Sequence, residues 1–147
     1  MRVYADTSWW LAYKSRRDIH HLSAITLFDD VPDAEVVWTP WQRVEVFNVF
    51  RQAERAGLIE AGESTRMARL LEHEVRLGYW PHAEFSWTDT IRRACDFSAA
   101  HSLLMMVRGM DLFHIAIARQ INVGAFISFD HDQIQLAQAV GLRIIPL

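Results

Sequence analysis

The chain opens on Arg2-Val-Tyr-Ala-Asp6, a short apolar run that stops at a carboxylate. After Thr7-Ser8 the apolar residues take up helical spacing through Trp9, Trp10, Leu11 and Tyr13, so a strand followed by a helix is predicted. A second helix is predicted over His20 to Phe28, Pro32-Asp33 interrupts it, and Glu35 to Thr39 reads as a strand. Pro40 suits the first turn of a helix reaching about Ala56, with Val46, Val49, Phe50 and Ala53 on one face and Gly57 at its end. Ser64 to Leu77 is amphipathic, with Met67, Leu70, Leu71 and Val75 facing inward and Gly78 and Pro81 closing it. Thr88 to Ser102 is read as a helix whose inner face carries Ile91, Ala94, Cys95 and Ser98, and Gly109 marks a break before a helix over Asp111 to Gln120. A strand over Ala125 to Phe129 ends at Asp130, a helix over His131 to Val140 ends at Gly141, and Arg143 to Ile145 is a last short strand.

Strands alternating with helices from end to end predict an α/β fold, a parallel sheet covered by helices. No linker, repeat or low-complexity stretch divides the sequence, and 147 residues suit one domain over residues 1–147. In such sheets the functional crevice lies beyond the carboxyl ends of the strands. Asp6 and Asp130 both fall at that edge.

Hydrophobic residues make up 51% of the chain and charged residues 22%, which predicts a packed globular domain. The longest apolar runs, such as Leu103 to Val107, are too short to cross a bilayer, so no membrane association and a cytoplasmic location are expected. Cys95 is the only cysteine, which excludes an internal disulfide and a cysteine-rich zinc site and leaves it as small helical filler. A net charge of −3 argues against coating nucleic acid by bulk attraction, yet acids that bind divalent cations reverse the local sign where a phosphate docks.

Four carboxylates stand where chemistry is expected. Asp6 follows the first strand, Glu45 lies inside the helix after the second, Asp111 opens a late helix and Asp130 follows a late strand. If they converge, their repulsion in a partly desolvated cleft calls for a hard divalent cation, magnesium or manganese, and such ions promote phosphodiester hydrolysis. Each acid has an ordinary structural reading as well: the aspartates as helix caps, Glu45 as a solvent-facing residue near a helix start. No P-loop, dinucleotide fingerprint or Ser/His/Asp signature competes.

The segments "VYADTS", "WTPWQRVEVFNVF", "GMDLFHIAIA" and "FISFDHDQIQLAQAVGLRIIP" resemble, in order and interval, four successive signatures of PIN domains of the VapC toxin type. The resemblance spans nearly the whole chain. It implies a PIN-like three-layer fold with a short parallel sheet, and a metal-dependent endoribonuclease whose catalytic and metal-binding acids are Asp6, Glu45, Asp111 and Asp130. It also implies an RNA substrate, a VapB-like antitoxin and a homodimer. By the same likeness Ser8 supports the metal shell, although its hydroxyl equally suits the first turn of a helix. The rival reading is a non-catalytic domain of the same fold that binds RNA or a protein. A phosphoacceptor receiver domain needs a lysine near its acceptor, and the only lysine, Lys14, lies in the first helical segment.

Several neighbours of these acids are read more plainly. His114, one turn after Asp111, is expected as a packed histidine bonded to backbone rather than a ligand of an oxygen-preferring ion. Asp132 is expected as a first-turn helix acid, with a water-mediated role at a second ion as the alternative. Trp9, Trp10, Trp38, Trp41, Trp80 and Trp87 are assigned mostly to core or interface. Trp80-Pro81-His82 is the best candidate for a functional loop, with core packing the plainer alternative. Arg66, Arg69 and Arg76 are read as a solvated charged face, with guidance of RNA the alternative.

Overall fold

A computed structural model describes residues 1–147. In chain order it contains β1 (Arg2–Ala5), α1 (Thr7–Lys14), α2 (His21–Asp30), β2 (Glu35–Val36), α3 (Pro40–Arg55), α4 (Glu63–Arg76), α5 (Trp87–His101), α6 (Gly109–Gln120), β3 (Ala125–Ile127) and α7 (His131–Ala139). The strands form a parallel sheet in the order β2-β1-β3, with Val3 opposite Val36 on one side and Ala125 on the other. A central parallel strand is covered on both faces and therefore reads as an unbroken apolar run, as Val3-Tyr4-Ala5 does with no exposed surface.

Alternation along β1 divides the interior. Val3 and Ala5 point into a core built with Trp9 and Trp10 of α1, Leu27 of α2, Phe50 of α3 and Leu71 of α4. Tyr4 points the other way, toward Ile115 and Ile117 of α6 and Leu136 of α7. Helices thus cover both faces of a three-stranded parallel sheet, the three-layer α/β arrangement expected.

Differences from the expected elements have local causes. The second strand stops at Val36, but Trp38 still pairs in parallel with the loop at His82, donating its N–H to Pro81 and accepting from Ala83 N–H. Trp80 itself is buried against Trp9, Trp10, Tyr13 and Phe28, so the supposed functional loop is core and sheet margin. The last strand is reduced to one bridge, Phe126 to Ile144. The inner face of α5 is displaced: Thr90 and Ala94 are buried, whereas Ile91 is half exposed and Cys95 lies at the surface, not packed as filler. That face is set by α6, against which α5 packs, and not by apolar content alone. Gly57 ends α3 as expected, at a φ of 73° that favours glycine.

Candidate active site

Asp6 is the first residue beyond β1. Its N–H donates to the Ile127 carbonyl at 3.1 Å, prolonging the β1–β3 ladder, while its side chain caps α1. Oδ1 accepts from the Ser8 hydroxyl at 2.6 Å and from Trp9 N–H at 3.1 Å, and Oδ2 accepts from the Ser128 hydroxyl at 2.8 Å. Ser8 Oγ in turn accepts from Phe129 N–H and Ser128 Oγ from Asp130 N–H. Two hydroxyls therefore fasten the ends of neighbouring strands around one carboxylate that is 1% exposed. Burial pushes the Asp6 pKa above the ordinary carboxylate range, against the opposing effects of the Ser8 hydroxyl, the His114 imidazole, Ser128 and Trp9 N–H. A nearby cation relieves that cost.

Glu45 is brought to the same place by the start of α3. Thr39 and Gln42 form a capping box with Pro40 in the first turn, and Gln42 Nε2 donates to the Ala5 carbonyl at 2.6 Å. This ties α3 to the end of β1, and Glu45, one turn inside, faces the cleft. Its carboxylate is in close contact with His114 Nε2. The approach has the closeness of an ion pair without the alignment of a hydrogen bond, so buried Nε2 has no well-directed partner. On the other side of the ring, Nδ1 lies 2.9 Å from the Tyr4 hydroxyl. Burial drives the Tyr4 pKa well above that of a free phenol, reinforced by the charges of Glu45 and Asp6 and opposed by a hydrogen bond with Thr39. Tyr4 stays protonated, so its hydroxyl has a proton to donate to Nδ1, an arrangement that puts a ring proton on Nε2 toward Glu45.

Asp111 and Asp130 open α6 and α7. Asp111 Oδ2 accepts from Arg108 N–H at 2.9 Å and Oδ1 from Gln133 Nε2 at 3.0 Å. Asp130 Oδ1 accepts from the N–H groups of Asp132 and Gln133, and Oδ2 from Arg108 Nη2 at 3.1 Å. Arg108 Nε is also 3.5 Å from Asp111 Oδ2, so one guanidinium spans both acids.

The four acids, Ser8, Arg108, His114 and Gln133 line one cleft of about 400 Å³ at the carboxyl edge of the sheet. A larger cleft, about 690 Å³, is lined by residues of α1, α2 and α4 and the loops beside them; it places Lys14, Arg16, Arg17 and Arg66 against Glu60 and Glu63 and contains none of the four acids.

The PIN-domain family model matches residues 3–139. The chain belongs to the PIN-domain family. The PIN fold is shared with a sarcin-ricin loop cleaving toxin, VapC20 of Mycobacterium tuberculosis, at a TM-score of 0.67 and 19% identity, covering 95% of both chains. VapBC2 of Rickettsia felis, bound to a promoter DNA fragment, aligns at a TM-score of 0.67 and 9% identity over 99% of this chain and 98% of that one. FitAcB of Neisseria gonorrhoeae aligns at 0.64 and 11% identity over 98% and 96%. No curated protein matches the chain by sequence.

Within this PIN domain, Asp6, Glu45, Asp111 and Asp130 lie together with Ser8 and His114, whereas Asp132 does not line the cleft and stands in the first turn of α7. His114 is packed, but its partner is the Tyr4 side chain and not the backbone. Arg108, Gln133, Gln42 and Tyr4 are neighbours of this cluster that sequence reading missed. Arg108 and Gln133 sit three residues from an acid, on the near side of a helix start, which was their only signal. Phe129 stacks on His20 at 4.3 Å between centroids and is not part of the cleft lining.

As the side chains stand, no three carboxylates or imidazoles are gathered closely enough to cage an ion: Arg108 holds Asp111 and Asp130, and Glu45 faces His114. The donor chemistry nonetheless fits a hard divalent cation. It consists of carboxylate oxygens, one of them on a buried acid of raised pKa, and of Gln133 Oε1, which is buried without a donor.

Proposed function

We propose that this PIN domain is a divalent-metal-dependent endoribonuclease and the toxin of a type II toxin–antitoxin pair. The observation that carries the proposal is the convergence of Asp6, Glu45, Asp111 and Asp130, from four separate elements, on one cleft beyond the strand ends. The likeness to an RNA-cleaving VapC toxin and to VapBC assemblies supports the RNA substrate and a VapB-like partner.

The four acids would hold magnesium or manganese, which when bound supplies Lewis acidity toward a phosphodiester oxygen and lowers the pKa of an attacking water. The chain's own contribution is rigidity. Ser8, Ser128 and Trp9 N–H hold Asp6 in one rotamer, and the Gln42 anchor on Ala5 fixes the height of Glu45 above the sheet. With the Tyr4 hydroxyl donating to its other nitrogen, His114 would keep a proton facing Glu45. Water attacks phosphorus and passes a proton to one of the four carboxylates, the bond to the departing ribose oxygen breaks, and that oxygen takes up a proton from solvent.

The proposal includes a homodimer. Leu103 and Leu104, 96% and 82% exposed after α5, are apolar surface that such an assembly would cover.

The test is cleavage of a mixed cellular RNA pool by purified protein with manganese, with chelator, and with Asp6→Asn in parallel. Metal-dependent cutting lost in the variant is expected. RNA binding without cutting, with manganese bound, would overturn the proposal in favour of a non-catalytic domain.

A further inference from the structure

Four carboxylates line the cleft, and Arg108 is the one arginine or lysine among its lining residues. An RNA phosphate docking there meets strong repulsion unless cations face it. Arg108 is anchored at its base, where its N–H donates to Asp111 Oδ2. Its side chain is 70% exposed, and the guanidinium meets only Asp111 and Asp130, at 3.5 and 3.1 Å. A planar guanidinium carries five N–H donors, so most of this one's hydrogen-bonding capacity is unused. The arginine end of these pairs is in solvent, while the Asp111 and Asp130 side chains are 7% and 26% exposed, so the guanidinium can return to water and leave two partly buried acids for another cation.

Resting on the ribonuclease reading, we propose that Arg108 is a built-in counter-cation for Asp111 and Asp130, that it competes with a divalent ion for them, and that once displaced it contacts an RNA phosphate at the cleft mouth. Arg108 is the N-cap of α6 and its carbonyl accepts from Leu112 N–H, which keeps its Cα in place while the side chain moves, so the displaced guanidinium stays at the rim. Its forked donors match two phosphate oxygens as they match two carboxylates.

The test is manganese titration of the full chain, read by the electron paramagnetic resonance of free manganese, for wild type, Arg108→Gln and Arg108→Lys. Binding of a mixed-sequence phosphorothioate RNA in saturating manganese is then followed over a range of salt. Arg108→Gln is expected to bind manganese several-fold tighter, because its competitor is gone, and RNA several-fold more weakly, with a salt slope smaller by about one. Arg108→Lys is expected to bring both back toward wild type. Equal manganese affinity in wild type and Arg108→Gln overturns the competition and leaves the ribonuclease reading standing. Unchanged RNA affinity overturns the phosphate contact. No manganese binding by either protein overturns both readings.

Discussion

The Tyr4 hydroxyl at the centre of the sheet lies 2.9 Å from Nδ1 of His114, a partner 110 residues away in sequence. Replacing Tyr4 by Phe leaves a buried acceptor without a donor, and the expected loss is about 1–3 kcal/mol in urea unfolding. The ¹⁵N resonances of His114 should also show the ring proton no longer confined to Nε2. An unchanged tautomer in the folded variant would remove this account of how the proton is kept facing Glu45.

Asp6 is a buried acid whose folded pKa is raised, so the folded state holds its proton more tightly than the unfolded chain does. Stability is therefore lost as pH rises from the unfolded value through the folded one, and the penalty is fully present above both. In chelator at neutral pH, Asp6→Asn should unfold at higher urea than wild type, with the advantage shrinking as pH falls. The same variant should not cut RNA.

Glu74 accepts hydrogen bonds from Lys14 and from Trp80 Nε1, and the Lys14 side chain is only 6% exposed. Burial lowers the Lys14 pKa, and the Glu74 carboxylate is what opposes it. Glu74→Gln should cost about 3 kcal/mol by leaving a buried cation unpaired, and adding Lys14→Met should recover most of it. Chemical denaturation of the two variants checks both statements. Failure of the double variant to recover would mean that Lys14 stabilises through more than its pairing.

Glu54 accepts from the N–H groups of Gly62 and Ser64 and thereby caps the start of α4. Its pKa is lowered, first by the Ser64 side chain and then by the Gly62 and Ser64 N–H groups. The associated stability is present above the unfolded value of a glutamate and is lost as pH falls through the lower folded one. Melting curves of Glu54→Gln should lack that acid-side component, and curves parallel to wild type would argue against the clamp.

Local chemistry made most of the fold legible. Period-two and helical spacing, Pro40 at a helix start, and Gly57 and Gly141 at helix ends each act within a few residues, and each lies where the sequence reading expects it. What was not legible depends on distant partners. The burial of Thr90 in place of Ile91 is decided by α6, and the packing of Trp80 by four aromatic rings from α1 and α2. The four acids could be named from sequence, but the contact of Glu45 with His114 and the bridge made by Arg108 arise only when separate elements meet.

Three of the four acids also serve the backbone. Asp6 and Asp130 cap α1 and α7, and Asp111 accepts from the N–H of Arg108, the residue that precedes α6. Glu45 alone satisfies no N–H group of a helix start. A copy of this gene released from selection for cutting would still need a capping side chain, aspartate or asparagine, at those three positions, and Glu45 would be the first of the four free to drift. Among descendants of such a chain, the glutamate rather than the aspartates records whether the chemistry is still in use.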